Sequence, residues 1–268
     1  MKKKAALISL FFKTSLMTQL PYRVNFVTQA ISTLFYFASG IFGLSIVFNY
    51  TDSLAGWSFF EIVTLLGVYQ FVAGVLAFFV MGNVERLPDK IVDGHLDETI
   101  LMPENSQFLS SFGSCNVWAI NDILLGLFII IGAVSLKITQ LTEVPGQFSL
   151  QFVQFIILMA CSLLISYSFR MWIATLAFWL GRTGGGFVLF SSIWTMGKYP
   201  VDMYPPFIKW LLYTLVPVGI VAAIPTYVLF NGLSALPFLG LIGITLLIYL
   251  FTNYLWKRGM RRYSSATS

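Results

Sequence analysis

Two stretches of the sequence, 24–51 and 62–84, contain no charged residue and are dominated by Phe, Ile, Val and Leu. Each exceeds the roughly 20 residues a helix needs to cross a hydrocarbon layer about 30 Å thick. Backbone polar groups inside such a layer have no water to bond, so the chain must satisfy them within a helix. The first span is therefore placed at about Asn25 to Phe48 and the second at Ile62 to Val84, joined by a short turn over Asp52 to Trp57. Composition extends this reading to the whole chain: 57% of residues are hydrophobic, 10% are charged, and the mean hydropathy is +0.82. An all-α integral membrane protein follows, with 268 residues forming one transmembrane domain and little left for a separate soluble one.

The remaining spans are less clean. Asp122 interrupts the start of span three, which becomes fully apolar from Ile123 to Leu136, and Lys137 to Gly146 reads as a turn. Span four is a long tilted helix from about Leu150 to Phe178, despite Arg170 within it. A glycine run at 184–186 then turns the chain into a short span five, Gly185 to Met196. The next apolar interval, Phe207 to Phe230, contains Pro217 and Pro225. If it crossed, the basic C-terminal residues Lys257, Arg258, Arg261 and Arg262 would lie opposite the basic start Lys2, Lys3 and Lys4. A proline-broken re-entrant element over 199–232, carrying Pro200, Pro205, Pro206, Pro217 and Pro225, avoids that conflict. Six spans result, the last at about Leu236 to Trp256. Both termini are then cytoplasmic, with thirteen of the sixteen basic residues inside and Lys137, Lys198 and Lys209 outside. The opening residues 1–21 form an interfacial helix ending at Pro21, since Lys13 breaks the apolar run of a cleavable leader.

Between spans two and three lies the one long polar interval flanked by spans, Glu85 to Gln107, with six carboxylates and two basic residues. Ile91, Leu96, Ile100 and Leu101 recur within it at roughly helical spacing, which predicts a short amphipathic helix docked against something. Catalytic machinery is hard to find. There is no GxxxxGK[ST] sequence to cradle phosphates, and the single histidine, His95, cannot build a His-based metal site or triad. Asp93, Asp97 and Glu98 sit on an exposed polar segment with nothing to perturb them as acid or base. Cys115 and Cys161 lie in or beside apolar runs and read as small buried hydrophobes. Basic residues cluster at the two termini and suit lipid headgroups, not nucleic acid.

The order of these features resembles the permease subunits of type-2 ATP-binding-cassette (ABC) exporters. The residues that carry the likeness are Gly94, Leu96, Asp97, Leu101 and Pro103 in IVDGHLDETILMP, Phe178 to Arg182 in AFWLGR, and the paired prolines between Lys198 and Pro225. It extends over nearly the whole chain, although the position before Pro103, often basic in such loops, is Met102 here. The resemblance implies a permease working as a homo- or heterodimer with separate ABC ATPase subunits, which bind ATP and Mg while this chain binds no cofactor. It implies that the cytoplasmic loop at 85–107 couples to those subunits through Asp93, Gly94, Leu96, Asp97, Leu101 and Pro103, in a bacterial-type inner membrane. A stand-alone secondary transporter or channel is the alternative, and a membrane enzyme or scaffold the third reading. A carrier would need ionisable residues deep in several spans, and only Asp122 and Arg170 stand out. Helix rise places both in the cytoplasmic half, where a pair at the inner mouth of the path is expected, as a moving gate or a static bridge. Asp122 capped by its Asn121 or Trp118 neighbours and facing water is the remaining possibility.

Overall fold

The computed structural model describes residues 2–140, 145–214 and 216–263, and among them every regular element is a helix. In chain order these are α1 (Lys2–Gln19), α2 (Arg23–Phe48), α3 (Phe59–Leu76), α4 (Gly82–Val84), α5 (Leu87–Val92), α6 (Asp97–Ile100) and α7 (Ser106–Phe112). They continue with α8 (Ile120–Gln140), α9 (Pro145–Thr175), α10 (Ala177–Leu180), α11 (Gly184–Thr195), α12 (Pro206–Thr214), α13 (Val218–Asn231) and α14 (Ala235–Met260). Five helical stretches are long and apolar enough to cross a membrane: Val24–Phe48, Phe59–Val92, Val117–Leu136, Phe148–Leu180 and Ala235–Met260. The pair α12 and α13, bent by 91°, makes a sixth if it counts as one span. The chain is thus a multi-pass membrane protein, and the long spans fall where the charge-free runs predict them.

α3 is the packing centre. Ser58 and Glu61 close its start with a reciprocal capping box, and Ile62, Leu65, Val68 and Val72 are fully buried. A single π turn over Ala77–Met81 joins it to α4 without interrupting the stretch. Against one side lies α8, brought close because Gly67, Gly74 and Gly126 lack side chains. A Cβ at Gly126 would stand 2.5 Å from the Phe71 nitrogen. On another side pack α9 and α13, and α14 packs on α9. α2 lies outermost, with Phe35 76% and Phe42 67% exposed, as befits a surface that meets lipid or a second subunit.

Several sequence expectations change in detail. Span three opens on a 3-10 turn at Val117–Ala119 that leads into α8, and α8 then runs on to Gln140. Since α9 begins at Pro145, both ends of the expected Lys137 to Gly146 turn are helical, and 141–144 lie outside the described residues. Helix α9 has 31 residues, or about 46 Å at 1.5 Å per residue, more than the layer is thick unless tilted. The expected span five is α11, whose 12 residues reach only about 18 Å. Two 3-10 turns, Met196–Lys198 and Val201–Met203, extend it towards the end of the bundle that carries Asp52 to Trp57.

That end, called the far end here, is marked by Trp57 Nε1 donating to Asp202 at 3.2 Å and by Gln154 Nε2 donating to the Leu233 carbonyl at 2.8 Å. At the opposite, loop end lie Glu85 to Gln107 and both described ends of the chain, with Lys4 over the Phe108 ring and Tyr263 on the Gly94 carbonyl.

Candidate coupling loop and membrane-embedded charges

The loop is two short helices, not one. Pro88 near the start of α5 has a pre-set φ and no N–H to satisfy, while Gly94 adopts φ +79, a conformation that favours glycine. The chain reverses there, and Leu96 N donates back to the Lys90 carbonyl at 3.1 Å before α6 starts. This reversal splits the apolar residues into two sets. Leu87, Ile91 and Leu96 point into the bundle, Leu96 being 0% exposed. Val92, Ile100, Leu101 and Met102 point away, with Leu101 85% exposed, and Pro103 is exposed beside them. The amphipathic pattern was therefore real, but its buried half docks on this chain's own helices. Leu96 is an anchor of the loop and not part of its outer surface.

Fixed contacts hold the loop from both flanks. Arg182, which follows α10, reaches Asp93 at 2.8 Å and Asp89 at 3.5 Å, and Gly181 with φ +79 makes the turn that aims it. These pairs are largely exposed, so each contributes at most about 1 kcal/mol. Tyr263 Oη donates to the Gly94 carbonyl at 3.2 Å, and Trp256 Nε1 donates to Ser106 Oγ at 3.3 Å. Phe178 packs edge-on against Trp256 and Tyr263, seated where Gly259 leaves room. Buried Gln107 donates to Tyr167 Oη at 3.2 Å, and Asn105 caps α7 by accepting from Phe108 N. The AFWLGR motif thus ties the loop to the ends of spans four and six. Glu98 remains outward, 3.5 Å from His95, while Asp97 is half-buried.

The two embedded charges do not meet. Asp122 Oδ1 accepts from Gln70 Nε2 at 2.8 Å and from Thr33 Oγ1 at 3.0 Å. Arg170, 2% exposed, donates from Nη1 to Glu85 Oε1 at 2.7 Å, and its guanidinium lies over the Phe190 and Trp194 rings at 5.1 and 5.8 Å. The expectation of an Asp122–Arg170 pair fails because counting residues gives depth but not direction. α8 faces α2 and α3, whereas Arg170 on α9 faces α4 and α11. Neither residue is a gate partner of the other in this state.

The prolines shape the segment between α11 and α14. Pro200 precedes the 3-10 turn that carries Asp202, Pro205 and Pro206 open α12, and Pro217 caps α13. Pro225 sits inside α13, where it removes the bond to the Val221 carbonyl, yet the helix is kept by burial on α9 and α3. At the far end Asp202 joins Trp57 to Lys209 on α12. Burial alone would raise the Asp202 pKa, but the hydrogen bonds from Lys209 and Trp57 outweigh it and hold the carboxyl below its ordinary value.

Lys198, expected outside at the end of span five, donates to Tyr36 Oη and lies over the Tyr36 and Tyr69 rings at 4.6 and 5.6 Å, contacts that sequence reasoning missed. Tyr36 is midway along α2 and Tyr69 midway along α3. The signal that hid it was local: Lys198, Tyr199 and Pro200 read as the end of a span, and the short α11 stops well before the far end.

No curated protein and no solved structure matches the chain. A family model, described as ABC-2 family transporter protein, matches residues 9–267. That family is the membrane component of ABC transporters, lacks a nucleotide-binding domain, and generally works with ABC ATPase partners. With nearly its full length matched, the chain belongs to the ABC-2 transporter family and is a permease subunit of an ABC-2 type transporter.

Proposed function

We propose that this chain forms the translocation path of an ATP-driven exporter and receives the work of ATP hydrolysis through its Glu85–Gln107 loop. The observation that carries the reading is the two-faced loop: Leu96 is sunk into the bundle while Ile100, Leu101 and Met102 stand out as an apolar patch. An exposed apolar patch on an otherwise charged, rigidly held loop is the surface a partner protein would cover. The same loop continues span two and is bonded to spans four and six through Arg170, Arg182, Trp256 and Tyr263, so a push on it reaches all three. ATP and Mg act on the partner ATPase. The loop lies in the cytoplasm with both termini, in a bacterial-type inner membrane. Six spans fit this arrangement, with α11 and the 3-10 turn Met196–Lys198 as the fifth crossing and α12 and α13 as a pair that dips from the far side. Two permease copies, or this chain and a related one, complete the path, and the exposed face of α2 is available for that contact.

Within the loop, Leu101, Met102 and Pro103 carry the ATPase contact, whereas Gly94, Leu96, Asp93 and Asp97 shape and fix the loop. The test is copurification of the ATPase with tagged Leu101→Asp. Association should fall about tenfold or more, as for an exposed apolar anchor made charged, with insertion and thermal stability unchanged. Undiminished association would remove the loop's outer patch from coupling.

A further inference from the structure

The geometry points to Lys198 as the acid-recognising residue of a substrate site between α2 and α3, so that the cargo is an amphiphile with a carboxylate or similar anionic head. Tyr36 lies 12 residues from Phe48, about 18 Å from the far end of α2, in a layer roughly 30 Å thick. Tyr69 lies 10 residues from the start of α3, about 15 Å in. Lys198 touches both rings, so its Nζ stands near the middle of the layer. A cation at that depth is costly and is retained where it faces a partner or a water-filled cavity.

Among the described residues no ion pair includes Lys198. The one acidic residue near that level of α3, Asp122, is already engaged by Gln70 and Thr33. What Lys198 has is a tyrosine hydroxyl and two ring faces, which stabilise a cation without neutralising it. Beside it opens a cavity of about 210 Å³, lined at one end by Tyr36, Tyr69, Gln70 and Lys198 and at the other by Leu44 and Leu66. Two donors gather at mid-depth, the lysine and the hydroxyl of Tyr36, whose proton stays available because it accepts from Lys198, while the Gln70 amide beside them is held by Asp122. Leu44 and Leu66 lie nearer the far end, so an apolar chain would run that way with its acid on Lys198. The turn that carries the lysine is closely packed, since a Cβ on its neighbour Gly197 would collide with Val218 Cγ1. A preorganised cation, a donor beside it and an apolar channel together define a site for an anionic head with a chain attached.

This assignment rests on the permease reading above but is tested without the ATPase. The full-length chain in nanodiscs of zwitterionic lipid is titrated with 11-(dansylamino)undecanoic acid and with its methyl ester, following energy transfer from tryptophan. The native chain should bind the acid on the order of tenfold more tightly than the ester, the scale of one charge-assisted contact. Lys198→Gln should remove that preference while leaving ester binding unchanged, and Lys198→Arg should keep it. Equal binding of acid and ester by the native chain, or an undiminished preference in Lys198→Gln, would overturn the site. Loss of both ligands in Lys198→Gln would make the lysine structural and overturn it equally. A retained acid preference in a chain that copurifies with no ATPase would instead count against the transport reading alone.

Discussion

Arg170 and Lys198 are both long cations packed on aromatic rings, one held shut and the other left open. Arg170 is 2% exposed, its head on Glu85 and its face over Phe190 and Trp194. Lys198 faces a cavity, with tyrosines in place of a carboxylate. The same division runs through the loop, where Leu96 is fully enclosed and Leu101 almost fully exposed five residues later. Closed contacts fix the geometry of the bundle, and open ones are where something else binds. Substituting the closed set should therefore cost stability, and substituting the open set should cost interaction.

The largest effect belongs to the Arg170 pair. Glu85→Leu strands a buried guanidinium and should destabilise the fold by about 3–5 kcal/mol, read as a fall in the thermal midpoint of the purified chain. Arg170→Met should cost less, because Glu85 is 42% exposed and can return to water. The reverse ranking would mean that the guanidinium is already hydrated and the site is open after all. Next comes the loop. Leu96→Asp places a charge in a packed site and should cost roughly 2–4 kcal/mol, while Leu101→Asp should change the midpoint hardly at all. Equal losses would erase the distinction between the two faces.

Much of this was legible in the sequence. Charge-free runs gave the long spans because a bilayer admits little else, and the order of GHLDETILMP, AFWLGR and the prolines pointed to the family that the chain proves to match. The failures share a cause. A one-dimensional count gives height along a helix but not bearing around it, so Asp122 and Arg170 looked like neighbours although they point to different helices. Helical spacing grouped Leu96 with Leu101, because the reversal at Gly94 depends on a positive φ that the pattern does not display. Lys198 read as the outer end of a span because Tyr199 and Pro200 follow it, and the pattern does not display that it meets Tyr36 and Tyr69.

Smaller effects sharpen the comparison. Lys198→Gln should leave the thermal midpoint unchanged or slightly higher, since no protein carboxylate loses its partner, and a clear fall would place this lysine in the closed set. The Trp57–Asp202–Lys209 cluster should give a shallow acid dependence. Its carboxyl titrates lower in the fold than in the unfolded chain, so its stabilisation is complete above the unfolded value of 3.8. That stabilisation disappears as pH falls through the lower folded value. Asp202→Asn should flatten this part of the acid limb, and an unchanged limb would assign it to other carboxylates.

The central claim, that an ATPase sits on the outward face of the loop, is tested most directly by a photo-crosslinking residue placed at Leu101 and, separately, at Leu96 in native membranes. The account predicts an adduct between position 101 and a nucleotide-binding subunit, with only intramolecular products from position 96. An adduct from neither position, or equal adducts from both, would contradict it.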